Sequence, residues 1–295
     1  MKKSILSFSI AGLFLGLCSF LMKSEEPVKE QASLLWKIEG NGLKSPSYLF
    51  GTMHLIEKQY FYFPKSLEKL VKNSSILVME IGEFPDQSEV MKHVMLKEGT
   101  FFDYFTPEQT DTILVWAKAK MGLSEEAFRN NFSKFKPFVV VQTATQMQFM
   151  GKTESYEMTL QGIASANKIK MEGLETLADQ MKIFDDLSNS QQAEMVMSGI
   201  RDEDKTNKMT LDMQQIYRRQ RIDSLYNFIH EEGGVLATEQ NAFLDQRNRN
   251  WIPKIKNYAA GGKAFIAVGA GHLGGENGVI RLLEKEGYKV TPVKI

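Results

Sequence analysis

A chain of 295 residues, 43% hydrophobic and 24% charged, is long enough for one large domain or two small ones and has a globular composition. Its 36 Lys plus Arg balance 36 Asp plus Glu, and no long basic run offsets that neutrality, so a nucleic-acid partner has no electrostatic basis. The only cysteine is Cys18, which excludes an internal disulfide framework and a cysteine-based zinc site.

Residues 1–23 stand apart. Lys2 and Lys3 precede an uncharged run from Ser4 to Met22, closed by Lys23. A basic start followed by an apolar core is the pattern of a secretory signal, and this run nears the length of a membrane anchor. The expected location is therefore exported: periplasmic, cell-surface or membrane-anchored through residues 4–22. "LGLC", ending at Cys18, leaves lipidation open beside cleavage and retention. Residues 24–33, "SEEPVKEQAS", read as a charged linker, and 34–295 as the folded domain.

That domain begins with "LLWKIEG" and "PSYLFGT", separated by the turn-like "NGLKSP", which predicts a hairpin. "PKSLEKLVKNSS" predicts a short helix opened by proline. "ILVMEI" is a continuous apolar strand, hence covered on both faces. The middle is helical: "TPEQTDTILVWAKAKMG" carries Thr106 and Pro107 at its start and Gly122 at its end. "SEEAFRNNFSKF" opens on a cap at Ser124. "KPFVVVQTATQMQFMG" reads as a buried helix, with its Val run leaving a strand as the alternative. "TLQGIASANK" predicts a helix and "IKMEGLE" a short strand; 176–230 and 235–257 are helix-forming throughout. The end repeats the beginning: "AFIAVGA" (strand), "GHLGGENG" (loop), "VIRLLEKEG" (helix), "YKVTPV" (strand). The expected fold is α/β, α+β-like in its segregation, with a central sheet built from the N- and C-terminal strand–GxxH–helix–strand units around a large helical insert.

Of the four histidines, His93 and His230 sit among charged residues on helical segments and read as solvated. His54 and His272 each have glycine three residues earlier, at Gly51 and Gly269, and each follows a strand. Open α/β sheets place ligands at the carboxyl ends of strands. Glycine lets the backbone turn sharply there, and histidine at such an edge can move a proton or bind a metal. Two such edges on adjacent strands would supply half of a metal shell, and borderline divalent ions accept imidazole with carboxylate. Glu80, at the end of "LVMEI", is the natural third member, because a carboxylate in so apolar a setting needs a partner; the alternative partner is an arginine. Glu175 has the same strand-end character, with support of the following helix N-terminus as its rival role. Arg247, on the "LDQRNRNWIPKI" helix, suits a substrate carboxylate or an oxyanion, with Arg249 as its neighbour and an ordinary place on the surface as the alternative for either.

"YLFGTMHL", "LVMEIG", "MEGLETLADQ", "LDQRNRNWIPKI" and "AFIAVGAGHLGGENGVIRLLEKEGYKVTPV" together resemble the TraB/GumN family, which includes the Tiki proteins. The resemblance runs from about Leu34 to the C-terminus. It implies an α/β fold with a helical insert and a site built from both GxxH motifs. Its Tiki members imply a metal-dependent protease using manganese or cobalt, with zinc as a further candidate. The matching positions here are His54, Glu80 and His272 as ligands, and Glu80, Glu175 and Arg247 as catalytic residues. The leading expectation is an exported metal-dependent hydrolase acting on a peptide or protein. The alternatives are a non-catalytic protein that sequesters a peptide or other ligand, and a hydrolase of a non-peptide ester.

Overall fold

A computed structural model describes residues 32–233 and 244–295. The predicted signal or anchor, most of the linker, and the first part of the helix expected over 235–257 lie outside the described residues. Among the described residues, no helix is long and apolar enough to cross a membrane.

Eight strands are present among the described residues: β1 (Leu35–Glu39), β2 (Ser47–Thr52), β3 (Ile56–Glu57), β4 (Ile76–Met79), β5 (Thr153–Glu154), β6 (Lys170–Gly173), β7 (Ala264–Gly269) and β8 (Lys289–Val293). β1 and β2 form the predicted hairpin, with Leu35 opposite Phe50. Its loop needs left-handed backbone at Gly40, Asn41 and Gly42, residue types that adopt it at low cost. β3 and β5 form a separate two-stranded ribbon, too short to leave a period in the sequence.

The main sheet runs β6-β4-β7-β2-β1-β8. β6, β4, β7 and β2 are mutually parallel, and β1 is antiparallel to both of its neighbours. The central strands are apolar throughout because both faces are covered: Leu77, Val78, Phe265, Ile266 and Val268 are fully buried. They pack with Leu67 and Val71 from the helix Lys65–Lys72, Leu160 and Ala164 from Tyr156–Ala166, and Trp251 and Ile255 from Gln246–Ala260. Each buried Leu, Val, Ile or Phe side chain among them contributes about 1.5–3 kcal/mol by leaving water.

The helical middle has its own apolar cluster around Phe101, Ile113, Phe128, Val140 and Val196. The helix Pro107–Met121 starts at a Thr106–Gln109 capping box and stops at Gly122, whose φ of 68° suits glycine. The Val run of 139–141 lies in the helix Pro137–Phe149, so the strand alternative does not hold. Pro137 presets the helical φ at its first position, and Val139 N–H already donates to the Lys136 carbonyl at 3.1 Å. Residues 176–230 break into helices where Thr176 and Ser188 cap Leu177–Asp185 and Asn189–Arg201.

One feature of the topology positions the site. β7, from the end of the chain, inserts between β2 and β4 from its beginning. After β4 the chain next joins the sheet at β6, on the outer side of β4; after β7 it joins at β8, beyond β2 and β1. The two connections leave in opposite directions, which opens a crevice at the carboxyl ends of β4 and β7.

Candidate active site at the strand ends

Four parallel strands deliver four expected residues to that one edge. β2 ends at Thr52 and leads to His54; β4 leads to Glu80, β6 to Glu175, and β7 through Gly269 to His272. Thr52 stands opposite Gly269, while Met79 stands opposite both Ala267 and Gly173. The ladder continues past β4 and β6, where Glu175 N–H donates to the Glu80 carbonyl at 2.9 Å.

Both motif glycines are places of close approach. A Cβ on Gly51 would stand 2.7 Å from Leu273 Cδ1 and 3.1 Å from Ala270 Cα, so only glycine lets β2 lie against the loop carrying His272. A Cβ on Gly269 would stand 3.2 Å from Glu80 Oε1, the atom to which Gly269 N–H donates at 2.7 Å.

Arg247, near the start of the helix Gln246–Ala260, ties the cluster together. Its Nη2 donates to Glu80 Oε2 at 2.7 Å and to Glu175 Oε1 at 2.6 Å, and its Nε faces both Glu175 oxygens at 3.1–3.2 Å. Its Nη1 lies 3.1 Å from His272 Nε2. Gln180 adds a donor to Glu80 Oε2 at 3.1 Å, and Trp251 Nε1 donates to Glu175 Oε2 at 3.0 Å. The Trp251 ring lies under the guanidinium at 4.8 Å and against the His272 ring at 4.5 Å. Arg249, by contrast, is exposed, so of the two arginines only Arg247 belongs to the site.

The charge states follow from these contacts. Burial pushes the His272 imidazole down; Glu80 opposes this, but Arg247 and His54 add to the fall, leaving it at about 3. The ring is therefore neutral. Asn248 Nδ2 donates to the Asn277 carbonyl at 2.9 Å, so its oxygen faces His272 Nδ1 at 2.7 Å. Nδ1 carries the proton, and Nε2 accepts from Arg247. Burial would raise the Glu80 carboxyl, but the permanent charge of Arg247, the charge of His54 and the Gly269 amide reverse this and hold it well below its ordinary range. With His272 neutral, Arg247 supplies the fixed positive charge.

His54 is placed differently. Its Nδ1 lies 3.0 Å from Glu157 Oε1, and its side chain is 67% exposed against 14% for Glu157. Thr52 Oγ1 donates to the same Glu157 oxygen at 2.7 Å, and Ser155 Oγ donates to the other at 3.0 Å. The Glu157 hydrogen bond raises the His54 imidazole above its ordinary range, a rise moderated by solvent around so exposed a ring. β7 pairs with both β2 and β4, with Thr52 opposite Gly269, so His54 and the Glu80–Arg247–His272 cluster stand at the same edge of the sheet.

These donors, as arranged, do not fit a shared divalent ion. Arg247 faces both Glu80 Oε2, at 2.7 Å, and His272 Nε2, at 3.1 Å, and His272 Nδ1 is held by Asn248, while Glu80 Oε1 holds the Gly269 amide and keeps a lone pair. Among the described residues, no three His, Cys, Asp or Glu side chains are grouped to hold a metal.

His93 and His230 lie outside this assembly: His93 pairs with Glu89 on its own helix at 3.0 Å, and His230 is exposed. Sequence reading missed Glu157, Gln180, Asn248 and Trp251. Trp251 had a signal, four residues from Arg247 and so on the same helix face. Glu157 had none that separates it from an ordinary acidic residue in a first helical turn.

Searches of curated proteins and of solved structures returned no match. The model of the TraB/PrgY/gumN family matches residues 34–292, taking in the hairpin, the strands of the main sheet except the last residue of β8, and all of the residues that converge at its edge. The chain belongs to the TraB/PrgY/gumN family.

Proposed function

We propose that this protein is a hydrolase of a peptide bond, with His54 as the general base and Glu157 as the residue that orients it. One observation carries the reading: an exposed, carboxylate-oriented histidine and a buried Arg–Glu–His cluster share the switch-point edge of a parallel sheet. With Nδ1–H held by Glu157, His54 Nε2 takes a proton from water. The water oxygen bonds to the scissile carbonyl carbon, and the carbonyl electron pair moves onto its oxygen. Collapse of that intermediate breaks the C–N bond, and the proton on His54 passes to the leaving amine. Glu80, kept ionised by Arg247 and the Gly269 amide, orients the attacking water by accepting a hydrogen bond. Arg247 keeps that carboxylate charged, and Glu175 and His272 hold Arg247 in place. No step is routed through a divalent ion, because Arg247 faces Glu80 Oε2 at 2.7 Å and His272 Nε2 at 3.1 Å, the pair of atoms such an ion would share.

The choice of a peptide or protein substrate follows the family resemblance, and the proposal that the enzyme works outside the cytoplasm follows Lys2, Lys3 and the uncharged run after them. The test is an unbiased peptide-cleavage screen read by mass spectrometry. Cleavage should fall at least about 100-fold in His54→Gln, the scale of a positioned acid–base group, and stay unchanged in His93→Gln. Undiminished cleavage by His54→Gln would refute the assignment of the base. Tight peptide binding without cleavage by the wild type would favour a sequestering protein instead.

A further inference from the structure

We infer that Arg247 is the resident cation of this site, holding the place between Glu80 and His272 that a shared divalent ion would need. The inference concerns the strand-end site and rests on the reading of it as the reaction centre.

The geometry is one of direct competition. A divalent ion binds imidazole nitrogen or carboxylate oxygen at about 2.0–2.2 Å. The atoms it would bridge here already face guanidinium nitrogens, at 3.1 Å from His272 Nε2 and 2.7 Å from Glu80 Oε2. An ion on those two atoms would press against a like-charged group that is itself nearly buried. The guanidinium is also built in rather than lodged. Glu175 receives Nε and Nη2, Trp251 fixes Glu175 through its indole N–H, and the Trp251 ring underlies the guanidinium. The neutral state of His272 serves an N–H donor as well as it would serve a metal. Asn248 fixes the Nδ1–H tautomer, which leaves the Nε2 lone pair pointing at Arg247. A planar, permanently charged side chain thus satisfies two carboxylates and an imidazole without an exchangeable ion.

The test is titration calorimetry with manganese, cobalt and zinc chlorides, paired with thermal melts in each salt and in EDTA. The wild type should give no saturable binding, and its melting temperature should be the same in metal and in chelator. Arg247→Met keeps much of the stem and removes the charge, leaving Glu80, Glu175 and His272 without their cation. Its melting temperature should fall, and the divalent salts should then raise it by several degrees. Adding His272→Gln to that variant should abolish the rescue. A folded Arg247→Met protein that ignores all three metals would overturn the claim that the guanidinium holds an ion's place. If that variant does not fold, the wild type still decides. One bound ion per chain, lost in Glu80→Gln or His272→Gln, overturns the inference; no bound ion supports it. Turnover is read separately: ion binding at these residues with intact cleavage would defeat this inference and leave the hydrolase standing. An ion-free wild type without cleavage would do the reverse.

Discussion

Arg247 Nη1 and Asn248 Oδ1 hold the two nitrogens of His272 from opposite sides, at 3.1 and 2.7 Å, so the ring is kept neutral and in one tautomer. Adjacent residues at the start of one helix thereby set the state of a histidine from another part of the chain. The consequence is an acid-sensitive fold. The His272 pKa is about 3 in the folded protein, against an ordinary value of 6.5. Between those values the unfolded chain binds the proton and the folded one does not, so stability falls as pH falls. Urea unfolding at pH 6.5 and pH 5 should show a loss in the wild type, up to about 2 kcal/mol, that His272→Gln largely lacks. An equal loss in both proteins would mean that His272 is not held neutral.

His54 should behave in the opposite sense. The Glu157 hydrogen bond raises its pKa, so the interaction stabilises fully below the ordinary value and fades as pH rises through the folded one. For catalysis the base form is needed, so kcat/KM should rise with pH through a midpoint above the ordinary 6.5. Glu157→Gln removes the charge while keeping the shape. Its midpoint should move down, and its plateau should fall as the imidazole loses orientation. A pH profile unmoved by Glu157→Gln would separate this pair from the chemistry.

The two motif glycines should fail differently. Gly51→Ala drives a Cβ against the Ala270 backbone as well as the Leu273 side chain. That overpacking should cost about 1–3 kcal/mol in a denaturant melt. Gly269→Ala meets only the Glu80 carboxylate and the His272 ring edge, at 3.2 and 3.7 Å. It should keep most of the stability and lose turnover, because the displaced atom is the carboxylate oxygen. Equal stability losses in the two variants would contradict this division of roles.

The proposal of export has its own check. A reporter active only outside the cytoplasm, fused after residue 40, should be active with residues 1–23 present and inactive without them. An inactive but stably made full-length fusion would count against export.

The strand-end residues were legible because apolar runs stop abruptly at Gly51, Glu80 and Gly269, and a polar residue at the end of a buried strand is conspicuous. The hairpin and the Thr106 and Gly122 helix signals were legible for the same local reason. The placement of β7 between β2 and β4 was not, because strand order is set by pairings far apart in sequence, although it is what puts His272 between Glu80 and His54. Glu157 was hidden by its helix position. The sequence made Arg247 a candidate for substrate or oxyanion; only the fold reveals that its nitrogens face Glu80, Glu175 and His272.

The central claim is that the exposed His54–Glu157 pair and the buried Arg247–Glu80–His272 cluster act as one catalytic unit. The most direct measurement is a double-mutant cycle on kcat/KM with a cleaved peptide, using His54→Gln, Glu80→Gln and the combined variant, each with a melt to confirm folding. Groups that act on one water should show gross non-additivity. Each single variant should lose at least about 100-fold, and the double variant should lose little more than either. Losses that multiply, or a Glu80→Gln enzyme as fast as the wild type, would contradict the account.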